Sequence, residues 1–399
     1  MNPTDQPSTL RTGMLYDVIV VGSRAAGTAT ALLLARGGLR TLLLDDRPLG
    51  SDTLSTHALM RGGVLQLARW GLLDEIIAAG TPPVRRTTFR HGDENIVISI
   101  KPSHGVDALY APRRTLLDPL LVHAAENAGV EVHHSTSVSD LIMHQGRVVG
   151  VHAVTPGGRT VELGAPLVIG ADGIHSTVAQ RVGAPFTRVG KHAAAATYGY
   201  WSGLATDGYE WNFHPDACSG VIPTNNGQAC VFVSASRDRI ARGGVAVIRE
   251  IIGQSEPELA RRLADASAPH GARTWHGHHS YLRRAHGPGW ALVGDAGYFK
   301  DPLSAHGLTD AFRDAELLTQ AITYGFGNRA TLDDALAHFE ATRDRLSIPL
   351  FDVVDRIASQ QWSEAEIARL LLRMSSLLAE EVETLAALDA GMLQPGGVS

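Results

Sequence analysis

Cysteine is almost missing from this chain. Only Cys218 and Cys230 occur in 399 residues, which excludes a disulfide framework and points to a reducing, cytoplasmic compartment. Charge of one sign is scarce as well: 35 Lys and Arg stand against 41 Asp and Glu, a net charge of −6. So slight an acidic excess provides no electrostatic footprint for nucleic acid or an anionic membrane. No apolar run approaches the roughly 20 residues of a membrane span. The polar stretch 1–12 lacks the basic and apolar regions of an export signal. Internal repeats and low-complexity tracts are absent. No metal centre is expected either: His276, His278 and His279 have no carboxylate or cysteine at a useful ligand spacing, and alternation on a strand explains them.

What is present is enough apolar sequence, 44% of residues, for the cores of two or three domains. Residues 16–22 read as a short buried parallel strand. Residues 25–35 read as a helix, small near its start, leucine-rich later and ended by Gly37 and Gly38. With a strand at 40–45 they form a βαβ unit. Further on, 114–128 reads as a helix and 130–133 as a strand. The stretches 147–155 and 159–163 pair around Pro156, and 167–171 is another buried strand. Between about 187 and 285 aromatics cluster, β-type alternation appears and helical periodicity is thin, which predicts an inserted sheet. The buried-strand pattern returns at 290, so the first domain is discontinuous. Beyond 330 the chain reads as helical. Ser363 and Glu366 form a capping box, Trp362 can staple onto Ile367, and Ile367, Leu370, Leu371, Met374, Leu377 and Leu378 keep the spacing of one helix face.

The chemistry starts at the first turn. Gly22-Ser23-Arg24-Ala25-Ala26-Gly27 sits where a dinucleotide fingerprint belongs, and Asp45 ends the next strand 18 residues after Gly27. Gly22 permits the tight turn and Gly27 lets helix and strand approach. The helix N-terminus offers N–H groups to a pyrophosphate, and Asp45 can accept from a ribose hydroxyl. Arg24 replaces the usual middle glycine; its guanidinium can instead reach a phosphate.

Two further runs, 168–178 around Asp172-Gly173 and 293–315 around Asp295, Pro302 and Gly307, resemble the DG and GD motifs of the group A FAD-dependent monooxygenases, the para-hydroxybenzoate-hydroxylase-like family. Arg114-Thr115-Leu116-Leu117 is similar to that family's Arg-x-x-Leu, whose arginine contacts the cofactor, with Arg113 as the neighbouring alternative. The resemblance covers about 16–315 and is nearly silent from 187 to 285. It implies an α/β fold: a doubly wound, Rossmann-like FAD-binding domain (14–80, 101–186 and 286–330), an inserted β-sheet substrate domain (81–100 and 187–285), and a C-terminal helical segment (331–395). It implies FAD contacts from Gly22, Arg24, Ala26, Gly27, Asp45 and Arg47 at the first βαβ unit. Arg114, Val138 and Asp172 follow, then Asp295, Pro302, Gly307, Leu308 and Thr309.

Asp295 can accept from ribityl hydroxyls or cap the turn that follows it. The helix opened by Gly307 would turn its positive end to the flavin N1/C2 carbonyl region, where charge gathers on reduction. Ser55-Thr56-His57 with 61–71 resembles the family's loop and helix beside the isoalloxazine. His57 therefore either lines the catalytic site or makes an ordinary loop hydrogen bond. The family's Gly-Gln-Gly-x-Asn is here Ala305-His306-Gly307-Leu308-Thr309, and its usual arginine after the DG segment is Ala179, with Arg181 two residues on. His306 is either a catalytic proton relay or a spacer beside the pyrimidine ring.

The activity this resemblance implies is that of a monooxygenase. NADH or NADPH, binding transiently without a Rossmann domain of its own, reduces the flavin. O2 adds at C4a, and the hydroperoxide hydroxylates or epoxidises an apolar or aromatic small molecule. Other readings stay open. Tyr209-Glu210-Trp211-Asn212-Phe213 partly resembles the YxWxFP motif of geranylgeranyl reductases, interrupted by His214. Phe299-Lys300-Asp301-Pro302 resembles flavin-dependent halogenases, which would take reduced flavin from a reductase partner, but their WxWxIP motif is missing here. A flavin-binding sensor without turnover is the non-enzymatic alternative. Substrate identity and oligomeric state are not encoded in any motif.

Overall fold

The computed structural model describes residues 16–327 and 329–388. The N-terminal stretch 1–12 and the end of the expected helical segment, 389–395, lie outside these residues. The centre is a six-stranded sheet in the order His286–Gly287, Trp290–Leu292, Leu167–Gly170, Val18–Val21, Thr41–Leu44, Glu131–His133. All neighbours are parallel except the first pair, a hairpin edge. Continuous apolar runs such as Val18–Val21 are buried along their whole length because helices lie on one face and a second sheet on the other.

On the helical face, Ala25–Arg36 packs between Arg114–Asn127 and the 20-residue Gly307–Phe326. Ala29, Leu32, Leu117, Leu121, Phe312 and Ile322 are among the residues that fill this core. The other face is covered by a three-stranded meander, Ser137–His144, Arg147–Val154 and Thr160–Gly164. The last two of these form the hairpin expected around Pro156.

The segment 187–285 contributes most of a seven-stranded sheet: Arg273–Trp275, Ala195–Ser202, Gln228–Ala235, Ala217–Thr224, Tyr209–His214, Arg86–His91, Glu94–Ser99. Its two faces differ. Trp201, Val221, Val231 and Val233 point outward under the helices Gly244–Ser255 and Pro257–Asp265. Helical periodicity was expected to be thin here, and these helices correct that expectation. The buried positions of the first, Val247, Ile248, Ile251 and Ile252, are β-branched and carry a strand-like composition on a helical period. The inner face carries Tyr198, Tyr209, Trp211, Phe213, Cys218, Ile222, Cys230 and Phe232 and packs toward the C-terminal helices.

Those helices are Leu332–Ala358 and Glu364–Leu388. Ser363 Oγ accepts from the Glu366 N–H at 3.3 Å. The capping box is only half formed, because the Glu366 carboxylate turns to Arg356 at 2.6 and 2.8 Å instead. Trp362 and Ile367 pack in the same core beneath the sheet. Among the described residues, no helix is long and apolar enough to cross a membrane.

Candidate active site

Three loops meet at the carboxyl ends of the central strands. In the first, Gly22 has φ +106°, and a Cβ there would lie 2.5 Å from the Ala171 carbonyl oxygen; one at Gly27 would lie 1.8 Å from the Gly22 oxygen. Only glycine lets the loop, helix and neighbouring strand come this close. Asp45 Oδ2 accepts from the Ser23 N–H at 2.5 Å and Oδ1 from the Arg47 N–H at 2.8 Å. A carboxylate has about four acceptor positions, so capacity for a hydroxyl remains. Arg24 is half-buried and donates to Thr53 Oγ1 at 2.6 Å. Among the described residues it has no ion-pair partner, and burial, then Arg114, lowers its pKa.

The GD loop faces this turn. A Cβ on Gly294 would come within 2.6 Å of the Ala26 methyl, so Ala26 marks where the two loops touch. Within the otherwise buried run 290–312, Asp295, Pro302 and Gly307 are open to solvent. Protein nevertheless surrounds Asp295 closely enough that desolvation pushes its carboxyl up to about 6, against Lys300, Arg114 and Arg24. Exposure combined with close surroundings describes the wall of a deep cleft. Gly307 has open space where a side chain would stand, at the positive end of a 20-residue helix. Just before it, Ala305 has φ +48°, a conformation ordinarily taken by glycine.

Other expected contact residues are turned to structural tasks. Arg114 makes a bidentate pair with Asp118 at 2.7 and 2.8 Å. Asp172 accepts from Ser176 Oγ at 2.5 Å and the Val178 N–H at 3.2 Å, capping the helix Thr177–Arg181. Val138 packs in the core under the meander. Arg47 is exposed. Leu308 is buried in the helical core, and Thr309 Oγ1 accepts from the Met60 N–H at 3.3 Å while packing on Gly62 and Gly63. These two residues dock the helix Arg61–Arg69.

His57 lies between the cleft and the inner face of the inserted sheet. It is 1% exposed, has φ +69°, and its Nε2 is 2.5 Å from the Tyr200 hydroxyl. The Arg113 guanidinium lies 3.5 Å over the Tyr200 ring. Burial, then Arg113, Arg114 and Arg273, holds the His57 pKa well below the ordinary 6.5, so the imidazole is neutral. Tyr200 and Tyr198 project from alternate positions of one strand, with Cys230 opposite Tyr200 on the next.

His306 is placed differently from an open proton relay. Its ring is 2% exposed and its Nε2 is 2.6 Å from Glu381 Oε2 on the C-terminal helix. Around it run Lys300 to Asp310, and Arg313 to Glu381 at 3.0 Å, Asp310 at 3.1 Å and Asp314 at 2.7 Å. His306, Asp310 and Glu381 hold metal-ligand atoms close together, but Lys300 and Arg313 already neutralise both carboxylates. Sequence reasoning missed this cluster. Only the i, i+3 and i, i+4 spacing of His306, Asp310 and Arg313 hinted at it, and Glu381 carried no signal. A separate cavity of about 500 Å³ beside His214, Arg239 and Gln360 shares no residue with the cleft.

The residues at the cleft fit FAD. Two glycines leave the turn uncovered, Asp45 can accept, Arg24 has no ion-pair partner among the described residues, and a helix N-terminus faces open space. The comparisons agree. The chain is 26% identical to kynurenine 3-monooxygenase of Salinispora arenicola, across 90% of this chain and 84% of that protein. It is 26% identical to digeranylgeranylglycerophospholipid reductase 1 of Methanococcoides burtonii, across 74% and 71%. The structure of P. aeruginosa PqsL in complex with 2-aminobenzoylacetate superposes with a TM-score of 0.77 at 19% identity, covering 92% of this chain and 100% of that one. With residues 15–346 matched by the FAD binding domain model, the chain belongs to that family and is an FAD-dependent oxidoreductase.

Proposed function

We propose that this protein is a monooxygenase that takes electrons from NADH or NADPH and inserts oxygen into an apolar or aromatic small molecule. Bound FAD would supply the redox and oxygen chemistry. The chain's own part is to bind, orient and keep dry. Gly22, Gly27, Arg24 and Asp45 would hold the nucleotide half of the cofactor, and Asp295 and the Gly307 helix end would meet its flavin half. The inserted sheet would form the substrate domain. The observation that carries this reading is its inner face, where Tyr198, Tyr209, Trp211, Phe213, Ile222 and Phe232 form a continuous apolar surface in one core with Ala58 and Leu303 of the cleft loops and with the C-terminal helices. Such a wall excludes water and suits an apolar substrate. His57, neutral and fixed on Tyr200, would line the reaction chamber, while His306 would position the Gly307 helix from behind.

The test is the visible spectrum of protein supplied with FAD, recorded before and after NADH or NADPH in air. Bleaching and return of the oxidised-flavin bands with nicotinamide and O2 consumption supports the proposal. Flavin that binds but is reduced by neither nicotinamide overturns its self-reducing form and requires a separate flavin reductase.

A second reading, reduction of an isoprenoid double bond, is favoured by one observation: Tyr209, Trp211 and Phe213 alternate on the same inward face. Anaerobic turnover of a polyprenyl substrate by the reduced protein, with no O2 requirement, would select it.

A further inference from the structure

The seven-stranded sheet ends on an edge with no neighbour among the described residues. Its last strand, Glu94–Ser99, pairs on one side only, with Arg86–His91, and every residue in it is exposed. Ile96, Val97 and Ile98 follow one another at 41%, 52% and 43% exposure. Such an edge offers a row of free N–H and C=O groups to any extended chain, and folded proteins ordinarily blunt it. Other edges of this fold are blunted: Arg273–Trp275 is three residues long, and Ser137–His144 and Phe186–Val189 are interrupted by register shifts. Glu94–Ser99 pairs without a shift and holds no proline and no charge after Glu94.

Backbone direction alternates along this strand. The Ile100 N–H donates to the Arg85 carbonyl at 2.9 Å, so even-numbered residues turn their backbone polar groups to the neighbouring strand, and Asn95, Val97 and Ser99 turn theirs outward. The sequence around these three is its own complement. In an antiparallel pairing with a second copy about a two-fold axis at Val97, Val97 meets Val97, Ile96 meets Ile98, Asn95 meets Ser99 and Asp93 meets Lys101. Centring the axis on Ile96 would set Asn95 against Val97, and centring it on Ile98 would set Val97 against Ser99, so the apolar pattern selects the first register. Asp93 and Lys101 are exposed and, among the described residues, have no ion-pair partner in their own chain.

We propose that the Glu94–Ser99 edge is the interface of a two-fold homodimer, in which a second copy adds its own Glu94–Ser99 strand antiparallel to the first and the inserted sheet runs on through both copies. Asn95, Val97 and Ser99 exchange backbone hydrogen bonds, Ile96 and Ile98 lose exposure to water, and the Asp93–Lys101 pair forms once at each end. Each copy's edge is used up by the other, so the assembly closes at two.

The experiment is sedimentation velocity at micromolar concentration on the protein supplied with FAD, with circular dichroism recorded on the same samples. The unsubstituted protein sediments as a dimer. Val97→Pro removes the central outward N–H without touching a bond to the neighbouring strand, and it sediments as a monomer with an unchanged spectrum. Asp93→Lys and Lys101→Glu each weaken the dimer roughly tenfold, because the axis repeats the repulsion at both ends, and the two together restore it. A monomeric unsubstituted protein overturns the proposal and leaves the edge to a strand of another protein. A dimer that survives Val97→Pro, or charge reversals without rescue, places the contact elsewhere and overturns it as well. Open-ended oligomers contradict the closed two-fold. Should Val97→Pro fail to fold, the two exposed charge variants and their combination decide alone.

Discussion

His306 and Glu381, 75 residues apart, share a buried hydrogen bond of 2.6 Å between Nε2 and Oε2. Through it the C-terminal helix grips the residue immediately before the Gly307 helix, whose end faces the cleft. Glu381 also pairs with Arg313, which is fully buried. The grip on the cofactor helix is thus ionic and hidden from solvent.

Removing one partner from such a cluster leaves uncompensated charge. Glu381→Gln should lower the unfolding free energy by about 3–5 kcal/mol, the usual range for breaking a buried pair from one side. Burial alone would raise this carboxyl, but His306 and Arg313 overcome it and hold it at about 2, against an ordinary 4.5. A depressed carboxylate stabilises the fold fully above pH 4.5, and the contribution is lost as pH falls from there toward 2. Urea unfolding at pH 7 and pH 4 checks both statements. A loss at pH 7 no larger than at pH 4 would contradict the second.

Gly307 has room for a methyl group in the protein alone, and its φ is not in the left-handed region. Gly307→Ala should therefore leave the melting temperature of the flavin-free protein unchanged. FAD affinity should fall at least tenfold, measured by fluorescence titration, because the methyl would stand where the flavin is proposed to approach. An unchanged affinity would move the flavin away from this helix end.

In the proposed reading Arg24 would act on a different part of the cofactor. With no ion-pair partner among the described residues, this guanidinium at the nucleotide turn should contact the pyrophosphate, and a charged hydrogen bond of about 1.5–3 kcal/mol corresponds to roughly ten- to hundredfold in affinity. Arg24→Gln should weaken FAD by that factor and leave riboflavin, which has no phosphate, untouched. Parallel titrations with the two flavins decide it; equal losses would place Arg24 elsewhere.

His57 sets an acid limit on stability. Its folded pKa lies well below the ordinary 6.5, chiefly through burial, so below pH 6.5 the unfolded chain takes up a proton that the folded chain refuses. Stability then falls with decreasing pH by up to about 1.4 kcal/mol per unit for this one group. Denaturation at pH 7, 6 and 5 should show a shallower decline for His57→Gln than for the unsubstituted protein. Parallel slopes would mean that His57 titrates normally in the fold.

The strand-turn-helix at 16–45, the helix opened by Gly307 and the pairing around Pro156 were legible because local rules decide them. A buried parallel strand needs an unbroken apolar run, a close turn needs glycine, and a hairpin needs Pro and Gly between its arms. The helix at 244–255 was less legible, since β-branched residues on a helical period carry two contradictory signals. Local rules also located the glycines and Asp45 of the cofactor turn. They did not assign partners to the charged groups. Whether His306 opens to the cleft or closes on Glu381, 75 residues away, and whether Arg113 turns to Gln228, 115 residues away, depend on segments far apart along the chain. Glycines and apolar runs act through backbone sterics and solvent exclusion, which each short segment expresses alone. A charged side chain takes its role from whichever opposite charge the completed fold brings within reach, and that is a property of the assembled cores.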